Sequence, residues 1–584
     1  MKNFSFKPFA IFALAAVLLS GCAGLSKMKK NADQIQFNVT PEVLETHAGD
    51  VDVAINGKFP AKYFNKKATL VATPVLKYEE GETTFEPVTL QGEKVEDNNK
   101  VISYNAGGSF SYNDAVDFNK AMRKSELYMN ITASKGAKSV DFDPIKIADG
   151  VIATSTLVAN FPKPILGVRR EANNTGKYDP NIDPFQRIVP DEMLADIHYL
   201  INRANLRGEE ITAEDVDMLL KYTENANAEE RIDLKGVEVS AYASPDGPVD
   251  FNTDLAAGRK NTSSDFLAEK LKEAGININL KTRYTPEDWE GFKEELEESN
   301  IQDKELILRV LSMYTDPEVR EREIRNLSET FTALAEKVLP ELRRAKLLTS
   351  VEMIGKTDAE LKSLAQSDPA SLNPAELLYA ATLFEDLDEQ LEIYNSFQKV
   401  YPDDWRGPNN AGYVLVKQMN YEDAKPLFEK AERLKNDEPV IKNNLGAVAL
   451  REGNVSEAET LFGAASGAGD EVNYNLGIVS IKKANYDQAV RYFGSYQDIN
   501  SALAKMLTGN NNGALRDLEA FERENCFMKE YLKAVIGART AKETMLFNSL
   551  EEAVSINSDV KEWAKTDLEF AKYFSNPRFQ EIVD

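Results

Sequence analysis

Gly446-Ala-Val-Ala-Leu-Arg-Glu-Gly-Asn-Val-Ser-Glu-Ala458-Glu-Thr-Leu-Phe462 decides the C-terminal half of this 584-residue chain, because its glycine, alanine and phenylalanine recur. Gly412 is followed twelve residues later by Ala424 and sixteen later by Phe428, and Gly477 in the same way by Ala489 and Phe493. The glycines stand 34 and then 31 residues apart. Small side chains at two fixed positions let paired helices approach closely, and an aromatic at a third fills the space between neighbouring hairpins. A period of this length predicts stacked helical hairpins that bury one continuous core. The stretch 383–397 with Tyr401-Pro402 reads as an earlier, imperfect unit. Residues 500–521 read as a shortened later one, with further helices to Phe579.

The pattern resembles the tetratricopeptide repeat family and predicts an all-α solenoid over 356–584. Asn410, Asn444 and Asn475 each stand two residues before a repeat glycine. In that family this position faces the concave groove. A carboxamide both donates and accepts, which suits the N–H and C=O of an extended polypeptide backbone. Three at one pitch would form a ladder that reads main chain, as in some peptide-binding solenoids. The competing reading is that they start helices or bond neighbouring turns. The ladder implies a protein or peptide partner in the groove.

The middle of the chain alternates strands and helices. The stretch 195–206 reads as a strand, and a helix follows from Thr212 to Asn225, with Thr212 and Asp215 placed as a capping box. Residues 237–243 form a second strand, Ser244-Pro-Asp-Gly247 a turn, and Asn252 to Ala274 a helix closed by Gly275. Strands at 278–284 and 345–353 complete the set. Between them, 285–344 is a helical insertion with Trp289, Phe292, Leu306, Ile307, Val310 and Leu311 at helical spacing. Its run Val319-Arg-Glu-Arg-Glu-Ile-Arg325 is a solvated face with i,i+4 pairs. Tyr242, Asn252, Leu255 and Arg259 resemble the strand–turn–helix core of the OmpA-like domain, which assigns that fold to 191–355. The resemblance implies peptidoglycan binding, with Arg259 on a carboxylate of the stem peptide. The family's aspartate falls on Ser244, so Asp246 would have to supply the carboxylate.

Short alternating segments such as Val51–Ile55, Ala68–Leu76 and Leu127–Thr132 predict a β-sandwich over 37–158, Ig-like in its strand spacing. Asn56-Gly57, Glu80-Gly81, Asn105–Gly108 and Asp149-Gly150 read as its turns. Residues 159–190 form a proline- and asparagine-rich linker.

At the amino end, Lys2 and Lys7 precede an apolar run to Leu19 that is too short for a permanent membrane span. Leu19-Ser-Gly-Cys22 resembles the lipobox of bacterial lipoproteins. It implies removal of 1–21, acylation of Cys22, and a lipidated tether over 22–36. Acidic residues, which usually mark surface export in Bacteroidetes lipoproteins, are missing from 23–30. The outer membrane's periplasmic face is therefore expected.

A net charge of −26 argues against nucleic-acid binding. Cys22 and Cys526 are the only cysteines and His47 and His198 the only histidines, leaving little for a metal site or a nucleophile–histidine system. The expectation is a lipoprotein similar to multidomain Bacteroidetes envelope scaffolds, with no catalytic residues, metal or cofactor. Its partners would be the membrane through lipid, peptidoglycan, and a polypeptide in the groove, for instance an outer-membrane barrel. Alternative roles are an accessory factor for assembling outer-membrane proteins or surface fibres, and an envelope hydrolase.

Overall fold

The computed structural model describes residues 24–167, 185–301, 304–326 and 328–584. Cys22 lies outside the described residues. The chain forms two compact units, one built from residues up to Gly167 together with Asp386–Asp584, the other from Val168–Glu385. The first unit is thus discontinuous in sequence. Its β part and its helical part meet across a long insertion. Among the described residues no helix is long and apolar enough to cross a membrane.

The β part has strands Asp50–Phe59 and Gly108–Asp117 paired antiparallel, and Thr69–Tyr78 paired antiparallel with Ser125–Lys135. Val43–His47 links the two groups by pairing with Asp50–Phe59 on one side and, in parallel, with Ile145–Ile152 on the other. Alternate residues point inward: Leu127, Met129, Ile131 and Ala133 are buried along one strand, Val51, Val53 and Ile55 along another, in one shared core. Two expected turns lie inside strands. Asn56-Gly57 belongs to Asp50–Phe59, where a Cβ on Gly57 would sit 2.1 Å from the Phe110 ring. Asp149-Gly150 belongs to Ile145–Ile152. In both, glycine serves close packing and not a reversal. Residues 24–30, expected in the tether, are helical, and Leu25 and Met28 are buried in the β core.

The helical part begins at Leu387–Val400 and continues as antiparallel pairs: Arg406–Lys417 with Tyr421–Leu434, Pro439–Glu452 with Val455–Ala464, and Asp470–Lys482 with Tyr486–Phe493. Shorter helices Ile499–Leu507 and Asn511–Ala520 follow, then Phe527–Arg539 with Glu543–Ile556. The repeat residues do what their spacing requires. A Cβ on Gly412, Gly446 or Gly477 would lie 2.7 Å from the ring of Phe428, Phe462 or Phe493, and the three alanines are fully buried. This is a tetratricopeptide-type solenoid. It starts later than residue 356, because helices Asp358–Ser367 and Pro374–Thr382 belong to the other unit.

The second unit carries a four-stranded sheet in the order Ile188–His198, Arg344–Ile354, Ile232–Tyr242, Leu280–Thr285, the last pair parallel and the others antiparallel. Helices Glu214–Ala228 and Val249–Glu273 pack on it through Val216, Leu219, Leu267 and Leu271. Gly275, at φ +72°, closes the longer helix as expected. The Thr212–Asp215 capping box does not form. Thr212 bonds back to Gly208 O, and Asp215 accepts from the Asp196 backbone N–H, tying the helix to the edge strand. Among the described residues the insertion is four short helices between Trp289 and Lys337 with a small core of their own around Phe292, Leu296, Ile307 and Leu334.

Candidate functional site

The asparagines do form a ladder, and the polypeptide on it is this chain's own. Residues 159–167, assigned to the linker by composition, run extended along the inner face of the solenoid, antiparallel to the order of the repeats. Asn475 Oδ1 accepts from the Lys163 N–H at 2.7 Å and its Nδ2 donates to Lys163 O at 2.9 Å. Asn444 treats Ile165 in the same way, at 2.7 and 2.8 Å. Asn410 Oδ1 accepts from the Gly167 N–H at 2.7 Å. All three asparagines are fully buried.

Further rungs escaped the sequence reading. Asn500 exchanges both bonds with Ala159, at 2.8 and 2.9 Å, and Asn443 and Asn409 add second donors to Lys163 O and Ile165 O. Amides of successive repeats also bond one another: Asn475 Nδ2 to Asn443 Oδ1 and Asn444 Nδ2 to Asn409 Oδ1, both at 2.9 Å. The row is a connected polar network, buried with its partners satisfied except at Asn410 Nδ2, and satisfaction is the condition under which such a network is tolerated. The doubled Asn409-Asn410 and Asn443-Asn444 were available as a signal. Asn500 was hidden because the repeat shortens before it.

The strap's sequence suits this grip. The rungs read residues 163, 165 and 167, and the skipped positions are Pro162, Pro164 and Leu166. The two prolines present no N–H and hold the backbone extended, so at 162 and 164 no donor is left unpaired where no rung exists. Phe161 N–H turns back onto Ala159 O, which spans the wider gap to Asn500. Side chains contribute at three points. The Lys163 ammonium sits 3.9 Å from the ring centroids of both Tyr474 and Tyr496. Burial there pulls its pKa below the ordinary lysine value, against the pull of Asp498 and Glu471. Ile165 is buried in the solenoid core. Gly167 fits where a Cβ would meet Asn410 Oδ1, Arg406 Cγ and the Trp405 ring at 3.1–3.2 Å.

The strap continues a wider contact between the β part and the solenoid. His47 Nδ1 bonds Tyr486 Oη at 2.6 Å, Thr154 bonds Glu569, and Glu569 pairs with Arg539. Leu157 and Val158 pack on the solenoid core.

In the second unit the structure gathers the predicted residues around the 244–247 turn but gives Arg259 a different task. Asn252 donates to Ser244 O and Gly247 O at 3.1 and 3.0 Å, pinning the turn to the helix. Ser244 donates to Asp246, whose carboxylate lies 3.6 Å from Arg343. The guanidinium of Arg259 is fully buried and spends its donors on backbone: Tyr242 O at 2.7 Å, Arg203 O at 3.1 Å and Leu200 O at 3.4 Å. The Tyr199 ring lies against it, and burial pushes its pKa down to about 10. Arg259 therefore fastens the 199–204 segment to the sheet, a task the resemblance does not assign it. The insertion also closes over the turn: Pro245 and Asp246 share a small cavity with Trp289, Phe292, Ile324 and Leu334.

No family model and no curated protein matches the chain. Solved structures similar to its helical part include a tetratricopeptide repeat protein from Parabacteroides merdae, 19% identical over 36% of this chain and 91% of that one, TM-score 0.28. Another is PilF of Pseudomonas aeruginosa, 14% identical over 39% and 98%, TM-score 0.27. A third is YrrB, described as a tetratricopeptide protein with an unusual peptide-binding site, 17% identical over 37% and 100%, TM-score 0.21.

Proposed function

We propose that this protein is a non-catalytic scaffold of the bacterial outer membrane, tethered by lipid at Cys22 on the periplasmic side and built to hold polypeptide. The observation that carries the reading is the buried asparagine ladder engaged on an extended main chain. Its rungs at Asn444, Asn475 and Asn500 each bond N–H and C=O of the same residue, a geometry suited to any sequence that stays extended and lacks proline at the rung positions. The interior of the solenoid offers these amides and an aromatic pair, a lining suited to adhesion.

The β part reads as an Ig-like spacer fused to the solenoid through the strap. The second unit reads as a divergent OmpA-like module, on its strand–helix order and the asparagine-pinned turn. The proposed role rests on polypeptide binding and not on peptidoglycan, since three of the five Arg259 N–H donors are held by backbone carbonyls.

Fractionation tests this. Wild-type protein is expected in the outer membrane with its first cysteine acylated by mass spectrometry, and Cys22→Ser is expected in the soluble periplasmic fraction. Gentle crosslinking in cells should trap a protein partner. An unmodified Cys22, or the absence of any crosslinked protein, would refute the proposal.

A further inference from the structure

The strap leaves one place on the ladder unfilled. Asn500, Asn475 and Asn444 each take an N–H and give a hydrogen to the C=O of the same strap residue. Asn410 takes the Gly167 N–H, yet its own Nδ2, fully buried, has no acceptor. A buried N–H without a partner forfeits its hydration and gains nothing in return. The last rung is thus built for a carbonyl that the resident strap does not deliver.

We infer that the groove is also a site for a partner polypeptide, and that the strap is a resident ligand which such a polypeptide replaces. The inference rests on the scaffold reading above and names its partner's chemistry. The occupant is an extended segment with a Pro-Lys-Pro core, an aliphatic residue next and glycine two residues further on, whose backbone stays extended through that glycine. Its lysine takes the Tyr474–Tyr496 cage, its aliphatic residue the Ile165 pocket, and its glycine the narrow passage beside Trp405. Its glycine carbonyl completes the fourth rung on Asn410. Proline is accepted only at skipped positions, and acidic residues are excluded from the cage. The resident strap competes at high local concentration because it is tethered, so the intact chain binds such a segment weakly until its strap is loosened.

The probe is a fluorescein-labelled peptide with the sequence of residues 158–170, titrated into the full-length chain. Ile165→Asp in the protein, which expels the strap's buried side chain, should raise peptide affinity at least tenfold over wild type. Lys163→Ala, a milder change, should raise it less. Adding Asn444→Ala and Asn475→Ala to either variant should abolish the gain. A peptide with Asp in place of its lysine should fail on every protein. Circular dichroism of each variant shows whether the solenoid is retained, and Lys163→Ala supplies the decision if Ile165→Asp unfolds. Affinity equal to wild type in a folded loosened variant, or binding that survives loss of the ladder, overturns the inference. Neither result depends on where the protein resides or whether Cys22 is acylated.

Discussion

At the residue scale, the ladder asparagines are expected to be intolerant of change in a way that shape alone does not explain. Asn444→Ala leaves the Ile165 N–H and the Asn409 carboxamide oxygen without their partner, and each buried unpaired group costs about 1–3 kcal/mol. Asn475→Asp is nearly isosteric and keeps an acceptor for the Lys163 N–H. It nevertheless loses both donations, to Lys163 O and Asn443 Oδ1, and faces them with negative charge. Urea denaturation should therefore show Asn475→Asp to be at least as destabilising as the alanine variant. The repeat glycines give a second contrast. Gly446→Ala should destabilise by about 1–3 kcal/mol, since its Cβ would press on the Phe462 ring. Gly463→Ala, in an exposed helical position with open space around it, should stabilise by roughly 0.5–1 kcal/mol. These positions were legible because packing fixes them locally. The role of Arg259 was not: the residue stands in its motif, but its partners are the carbonyls of Leu200 and Arg203, almost sixty residues earlier in the chain.

At the scale of elements, the helix Trp289–Glu298 docks on the sheet through one buried cation. Arg344 faces Glu295 at 2.7 Å and Asp196 and Asp288 at 3.8 Å. Burial pushes the Asp196 and Asp288 carboxyls above the ordinary aspartate range, only partly offset by Arg344 and Lys346. The folded unit thus holds these protons more tightly than the unfolded chain does. Their charge subtracts stability at neutral pH, and the penalty fades as pH falls through the raised values toward the unfolded value near 3.8. Asp288→Asn preserves the cap on the Gly291 N–H and removes one charge. Amide exchange in Trp289–Glu298 should slow at pH 7.5 in this variant and differ less between pH 7.5 and 5 than in wild type. Elements also show where the sequence stopped being informative. Solenoid helices and most strands announced themselves through period and turn chemistry. The strap did not, because an extended segment read through its backbone has no side-chain period, and its prolines resemble those of any linker.

At the scale of the whole molecule, the first unit is closed by contacts between its ends, and the second unit is inserted within it. A protease site engineered into 168–184 and cut after folding should yield two pieces that co-elute on size exclusion. Ile165→Asp should let them separate at lower urea, because the strap is one of their main attachments. Co-elution failing in the uncorrupted ladder would mean that the strap and the His47, Thr154 and Glu569 contacts do not hold the halves together.

The rung between Ala159 and Asn500 joins residues 341 positions apart, and that between Gly167 and Asn410 joins residues 243 apart. A chain made from its amino end exposes Leu157, Val158 and Ile165 until the repeats that cover them have followed. Closure is then a late act of folding, slow by its topology, and any product truncated before the repeats keeps a sticky apolar ribbon in view.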